Sequence, residues 1–173
     1  MKEVFYTPSQ VNSYLLSIAR EMYKADFRPD YIVGLVRGGL VPAIKLSHYL
    51  DIPMYALDPN ESNLWMAEEA FGYVPFEDQE VIQSRWDISY KKNILIIDDI
   101  NDTGKTFKNL IEDWRSGCLP KEDAAWKSVW HNNVRFAALI ENSASEFDCD
   151  FVGTEINKVE NPEWCVFPWE SWW

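Results

Sequence analysis

Apolar residues recur along the chain with two different periods. After Pro8, Val11, Leu15, Ile18 and Met22 fall on one helical face. Thr7-Pro8-Ser9-Gln10 supplies a capping residue, a proline at the first helical position and a glutamine three residues after the cap. The spacing predicts a helix from about Pro8 to Tyr23. DYIVGLV (Asp30 to Val36) is a short β-branched run that ends in Arg37-Gly38-Gly39, and LVPAIKLSHYL returns to helical spacing, so this stretch reads as strand, glycine turn, helix. Pro53 to Leu57 is a second strand. NILIIDD is a third, apolar on both faces as a central parallel strand covered by helices must be. GKTFKNLIEDWRS continues it as a helix, and Val134 to Ile140 makes a fourth strand. Strand and helix alternate, which predicts an α/β fold: an open, mainly parallel twisted sheet flanked by helices. Ligands in such sheets bind outside the carboxyl ends of the strands.

Two stretches break the alternation. Residues 58–92 are long, acidic and aromatic and read as a lid or insertion, while residues 117–133 carry Trp126 and Trp130. The C-terminal NPEWCVFPWESWW is rich in tryptophan, which suits packed core or a surface between copies, and a homodimer or higher homo-oligomer is expected. With 173 residues, a single domain is expected.

Charge narrows the partners. With 28 Asp and Glu against 16 Lys and Arg, the net charge is −12, which argues against a nucleic-acid surface and requires any anionic ligand to be met by a local arrangement. The 3 cysteines, Cys118, Cys149 and Cys165, have no paired spacing, so neither a disulfide framework nor a zinc site is expected, and a reducing, cytoplasmic setting is. No segment has the apolar length of a membrane span or a leader, so no membrane partner is expected.

Candidate chemistry concentrates in ILIIDDINDTGKT, Ile94 to Thr106. A strand-to-helix turn offers backbone N–H groups to a phosphate, and Thr103, Gly104 and Thr106 are small, permissive or hydroxyl-bearing. Asp98 and Asp99 cannot hold a phosphate, but carboxylates accept hydrogen bonds from vicinal hydroxyls. A ribose 5-phosphate satisfies both. A P-loop kinase would need a glycine where Asp99 stands, and an aspartic protease would have its Asp-Thr-Gly in an all-β fold.

Four apolar residues, two acids, two variable positions and DTGKT resemble the phosphoribosyl pyrophosphate (PRPP) motif of the type I phosphoribosyltransferases. VGLVRGGLVPA (Val33 to Ala43) is similar to the pyrophosphate loop of the purine members, the xanthine-guanine and hypoxanthine-guanine enzymes. EWCVFPWE is similar to their purine-covering hood, expected at about 150–173. The resemblance implies the type I phosphoribosyltransferase fold and transfer of the 5-phosphoribosyl group of PRPP to N9 of a purine, with Mg²⁺ bridging ribose and pyrophosphate. The alternative is a regulator of the same fold that binds PRPP or nucleotides without turnover.

Residue by residue, Asp98 and Asp99 would bind the ribose hydroxyls and Mg²⁺. Thr103, Gly104, Lys105 and Thr106 would form the 5′-phosphate loop, acting through the backbone with the Lys105 side chain in solvent. Asp102 would be the general base near purine N7, or the N-cap of the next helix. Arg37 would neutralise the leaving pyrophosphate beside Gly38, across a Val36–Arg37 peptide that relatives often hold cis. Trp164 would stack on the base or pack as core, main-chain groups around Cys165 would pair with the base edge, and Glu170 would lie near the purine 2-position or a second Mg²⁺. Arg85 reads as a lid cation or a solvated arginine, and His48 and His131 as non-site residues. In 6-oxopurine enzymes a lysine shortly after the fourth strand meets O6. Here that position matches Asn142, whose amide can serve a 6-oxo or a 6-amino group, so 6-oxopurines are favoured with adenine open.

Overall fold

The computed structural model describes residues 1–61, 63–75, 77–78 and 85–170. Its elements in chain order are β1 (Lys2–Phe5), α1 (Pro8–Lys24), β2 (Tyr31–Leu35), α2 (Leu40–Leu50), β3 (Met54–Leu57), α3 (Leu64–Phe71), a 3₁₀ turn (Ile88–Tyr90), β4 (Ile94–Asn101), α4 (Lys105–Gly117), α5 (Asp123–Trp126), β5 (Val134–Asn142), β6 (Phe151–Ile156) and β7 (Glu163–Val166). Five strands form an all-parallel sheet in the order β3-β2-β4-β5-β6, with β4 at its centre.

The doubly apolar β4 explains the layering. Ile94 and Ile96 point into one core with α3, α4 and Trp126, whereas Leu95 and Ile97 point into a second core with α1 and α2. All four are 0% exposed, and full burial of such a side chain contributes about 1.5–3 kcal/mol. At the start of α1 the capping box closes: Gln10 N–H donates to Thr7 Oγ1 (3.1 Å) and Thr7 N–H donates to Gln10 Oε1 (2.8 Å). That satisfies two of the orphan donors of the first turn.

Three features differ from the expectation. Residues 151–156, expected in the hood, form the fifth strand of the main sheet. The hood is instead a two-stranded parallel ribbon joining both ends of the chain, with Glu3 opposite Trp164 and Val4 opposite Cys165. Within 58–92, α3 buries Met66, Ala67 and Ala70 in the core, so this part covers a sheet face. The remainder of the expected lid includes residues 62, 76 and 79–84, which lie outside the described residues, as do 171–173 of the tail. Between α4 and β5, Trp126 and Trp130 stack with centroids 5.6 Å apart and pack against that same core. Among the described residues no helix is long and apolar enough to cross a membrane.

Candidate active site

The carboxyl end of β4 carries the first part of the site. Asp99 N–H donates to Asp98 Oδ1 (2.9 Å), and Ile100 N–H donates to Asp99 Oδ1 (2.8 Å). Burial holds both carboxyl groups above the usual carboxylate range, Asp98 well above it; the neighbouring Asp99 charge adds to the effect at Asp98, and Glu170 adds to it at Asp99. Among the described residues no ion pair engages either carboxylate. Two adjacent, uncompensated, desolvated carboxylates fit a divalent cation held mainly by substrate oxygens, the way Mg²⁺ is commonly bound. No three His, Cys, Asp or Glu side chains converge into an all-protein cage among the described residues.

The chain then turns through Asp102 and Thr103 to Gly104, the N-cap of α4, at φ 83°, where a side chain would be strained. Gly104 has no side chain to cap this helix; Thr103 Oγ1 accepts the Lys105 N–H at 3.4 Å, and the turn borders a cavity of about 220 Å³. Asp98 to Gly104, Thr106 and Phe107 line that cavity; Lys105 is exposed and does not.

The loop after β2 approaches from the side. The Val36–Arg37 peptide is cis. A Cβ on Gly38 would collide with the Asp99 carboxylate, and one on Gly39 would collide with the Ile97 carbonyl of β4, so the glycine pair lets this loop lie against β4. Arg37, Gly38, Leu40, Val41, Asp99, Trp169 and Glu170 enclose a cavity of about 660 Å³. Glu170 Oε2 accepts the Phe167 N–H at 2.7 Å, which pins the hood's end here.

A third, smaller cavity of about 140 Å³ lies under the hood, lined by Asp99, Ile100, Asp102, Lys158, Trp164, Cys165, Phe167 and Glu170. All three cavities share Asp99. Lys158 Nζ donates to Asp102 Oδ2 at 2.9 Å. Asn142 does not line this cavity: its Nδ2 donates to Asp102 O (3.0 Å) and Oδ1 (3.2 Å), and its Oδ1 accepts N–H groups from Ala144 and Lys158. The amide expected to meet a base is thus spent on orienting Asp102 and Lys158. The cation on this cavity wall is Lys158, in the turn between β6 and β7, where the residue order along the fourth strand does not point. Trp164 is 57% exposed with its place on the cavity wall, and Cys165 is 7% exposed beneath it. His48 and Arg85 are exposed and line none of the three cavities. His131 is bonded to Asp150 (3.0 Å), which raises its pKa.

Comparison with known proteins bears on this geometry. The profile of the family described as “phosphoribosyl transferase domain” matches residues 9–171. A xanthine-guanine phosphoribosyltransferase of Nitratidesulfovibrio vulgaris is 29% identical over 81% of this chain and 68% of its own length. An orotate phosphoribosyltransferase of Brucella ovis is 24% identical over 95% of this chain and 70% of its own. Among solved structures, a purine phosphoribosyltransferase from Pyrococcus horikoshii superposes with a TM-score of 0.63 at 25% identity, covering 99% of this chain and 96% of that one.

Proposed function

The chain belongs to the phosphoribosyl transferase family, and from that premise we propose that it is a purine phosphoribosyltransferase favouring 6-oxopurines. PRPP would lose pyrophosphate while N9 of the base adds to the anomeric carbon. The observation that carries the choice of base is the pair Lys158 Nζ and Asp102 Oδ2, 2.9 Å apart on the wall of the hood cavity. A purine carries a 6-substituent beside N7 on one edge. An ammonium donor next to a carboxylate acceptor matches an oxo group next to an N–H. Orotate also presents an oxo group beside an N–H, so what disfavours it is its carboxylate, which would meet a wall already carrying Asp99, Asp102 and Glu170.

The rest of the site supports the same orientation. Ile100 and Trp164 share the cavity wall and supply apolar faces for a flat ring. The 5′-phosphate would lie on the N–H groups of 103–106, the ribose diol against Asp98 and Asp99, and the leaving pyrophosphate in the cavity of Arg37 and Gly38. Asp99, common to all three cavities, would lie beside the ribose that links base, phosphate and pyrophosphate. As positive charge develops on the ribose, buried carboxylates stabilise it, and Arg37 offsets the charge on the leaving group. Asp102 receives the N7 proton as N9 bonds to carbon. The family generally uses Mg²⁺ with PRPP; Asp98 and Asp99 would hold it together with substrate oxygens, Glu170 being a candidate for a second ion, and it would supply positive charge to the ribose and pyrophosphate oxygens.

Pyrophosphate release on mixing protein, Mg²⁺ and PRPP with hypoxanthine, guanine, xanthine, adenine, orotate or uracil tests this directly. Release with a 6-oxopurine and not with orotate is expected. Turnover with orotate alone would overturn the assignment.

A further inference from the structure

Asn101, the last residue of β4, is 1% exposed, and opposite it in register on β5 stands Glu141 at 7%. β4 is apolar only from Ile94 to Ile97; Asp98 and Asp99 follow at the site, and Asn101 closes the strand. Burying an amide and a carboxylate is costlier than burying two aliphatic side chains, so the bonds they make call for a reason. Asn101 Nδ2 donates to Phe147 O (2.6 Å) and to Glu141 Oε2 (3.2 Å), and its Oδ1 accepts from Ser145 Oγ (3.0 Å). Glu141 Oε2 also accepts the Cys149 N–H (3.0 Å), and Ser145 Oγ accepts the Phe147 N–H (3.2 Å). Apart from the Asn101–Glu141 bond between the two strands, every one of these bonds involves the connection between β5 and β6.

That connection is the backing of the phosphate loop. Glu146 N–H donates to Thr103 O (3.2 Å). A Cβ on Gly104 would lie 2.7 Å from Phe147 Cβ and 2.8 Å from Phe147 N, so the loop rests on this turn with no space between them. Thr103 is thus held at its carbonyl by Glu146, while its Oγ1 accepts the Lys105 N–H (3.4 Å), and Thr103, Gly104 and Thr106 line the cavity.

We propose that Asn101 and Glu141 are positioning residues: they anchor the 143–149 connection so that it holds the 103–106 loop in its phosphate-binding shape before substrate arrives. This rests on the reading of that loop as the 5′-phosphate cradle. An anchored loop loses little freedom on binding, whereas a released one must be ordered by the phosphate itself.

The test first compares calorimetric affinity of the wild type for a purine nucleoside 5′-monophosphate and for its nucleoside. Equal affinities would sink the cradle reading, independently of the anchor. The anchor is then tested by Asn101→Leu with Glu141→Leu, which removes both polar groups together and leaves no orphaned charge. The expected result is a rise of about tenfold in the KM for PRPP and a matching loss of monophosphate affinity, with KM for the base and nucleoside affinity within twofold. Glu141→Gln, which keeps an acceptor for both N–H groups, should restore near-wild-type KM. The sign separates positioning from plain electrostatics, because deleting a carboxylate behind a phosphate site would otherwise tighten PRPP binding. Unchanged or tighter PRPP binding in the double variant, or equal losses for PRPP and base, overturns the proposal. Should the double variant fail to fold, Ser145→Ala decides by the same readout, with a rise of about threefold expected for PRPP alone and no change counting against it.

Discussion

Replacing Lys158 by Met separates the base-reading cation from everything else in the site. Methionine keeps the unbranched stem that leaves the lysine side chain only 16% exposed, so packing changes little. Asp102 stays oriented, because Asn142 Nδ2 still holds its carbonyl and Oδ1 at 3.0 and 3.2 Å. What disappears is one ammonium donor. In the free protein that donor is spent on Asp102, whose side chain is 42% exposed. A pair this open to solvent is worth about 0.2–1 kcal/mol. With a 6-oxopurine bound, the ammonium gains a charge-assisted hydrogen bond to O6 worth about 1.5–3 kcal/mol. If binding replaces one interaction by the other, the net contribution is about 1–2 kcal/mol, or roughly 5- to 30-fold in kcat/KM.

The fall should appear for hypoxanthine, guanine and xanthine. Adenine should lose nothing or improve, because its 6-amino group donates and gains nothing from an ammonium. Initial rates of pyrophosphate release at saturating PRPP, with each base varied, give the four kcat/KM ratios. An equal fall for all four bases would mean that Lys158 acts only by holding Asp102; no fall for any would mean that the purine edge lies elsewhere, and either result refutes the pairing.

Three further outcomes follow from the same geometry. Asp99→Asn should weaken PRPP binding by about 1–3 kcal/mol, the scale of lost charged hydrogen bonds, and calorimetry with Mg²⁺ showing wild-type affinity would remove Asp99 from its place at the junction of the cavities. Asp98→Asn should stabilise the ligand-free protein in EDTA at neutral pH. Burial raises the folded-state pKa of Asp98, so its carboxyl favours folding below the unfolded carboxylate pKa of about 3.9, and that advantage is lost as pH rises through the folded value; the gain in Tm should therefore vanish in acid, and a lower Tm at pH 7 would contradict the desolvation account. Trp164→Ala should raise the KM for every purine several-fold while leaving that for PRPP unchanged, since Trp164 lines the hood cavity and neither of the other two; purine KM values that do not move would make the exposed indole a surface residue only.

What was legible in the chain is what a strand or helix declares locally. The run Ile94–Ile97 is apolar at every position because helices cover both sheet faces, and the Thr7 and Gln10 caps act within one turn. β1 and β7 were not legible: each has four residues, mostly exposed or half-buried, and exists only because the other pairs with it across the length of the chain. β6 buries Phe151 and little else, as an edge strand does. The site divides in the same way. Asp98 to Thr106 are contiguous, so the residues lining the cavity at the end of β4 could be read from their order. The partner of Asp102 is Lys158, and that of Asn101 includes Phe147, each reached across another strand of the sheet. Asn142 shows how counting along a strand misleads: it stands in the expected row, but its amide faces Asp102.

The charge of the site answers the question raised by an acidic chain that takes a polyanionic substrate. Asp98, Asp99, Asp102 and Glu170 line the three cavities, against Arg37 and Lys158. Four carboxylates against two cations would repel a bare pyrophosphate ester, and one of the cations is already paired with Asp102. Uncharged groups offset part of this, since the first-turn N–H groups of α4 carry the positive end of the helix dipole toward the phosphate. In the proposed complex the ribose would instead meet Asp98 and Asp99, which among the described residues make no ion pair, and a divalent ion carried with the substrate would close the balance there. Burial of this pair disfavours its charged form in the free protein, and in the proposed reaction the same pair would stabilise a developing positive charge on the ribose. Replacing either with a neutral residue therefore trades one property for the other, and that trade explains why so unfavourable a pair sits at the centre of the sheet.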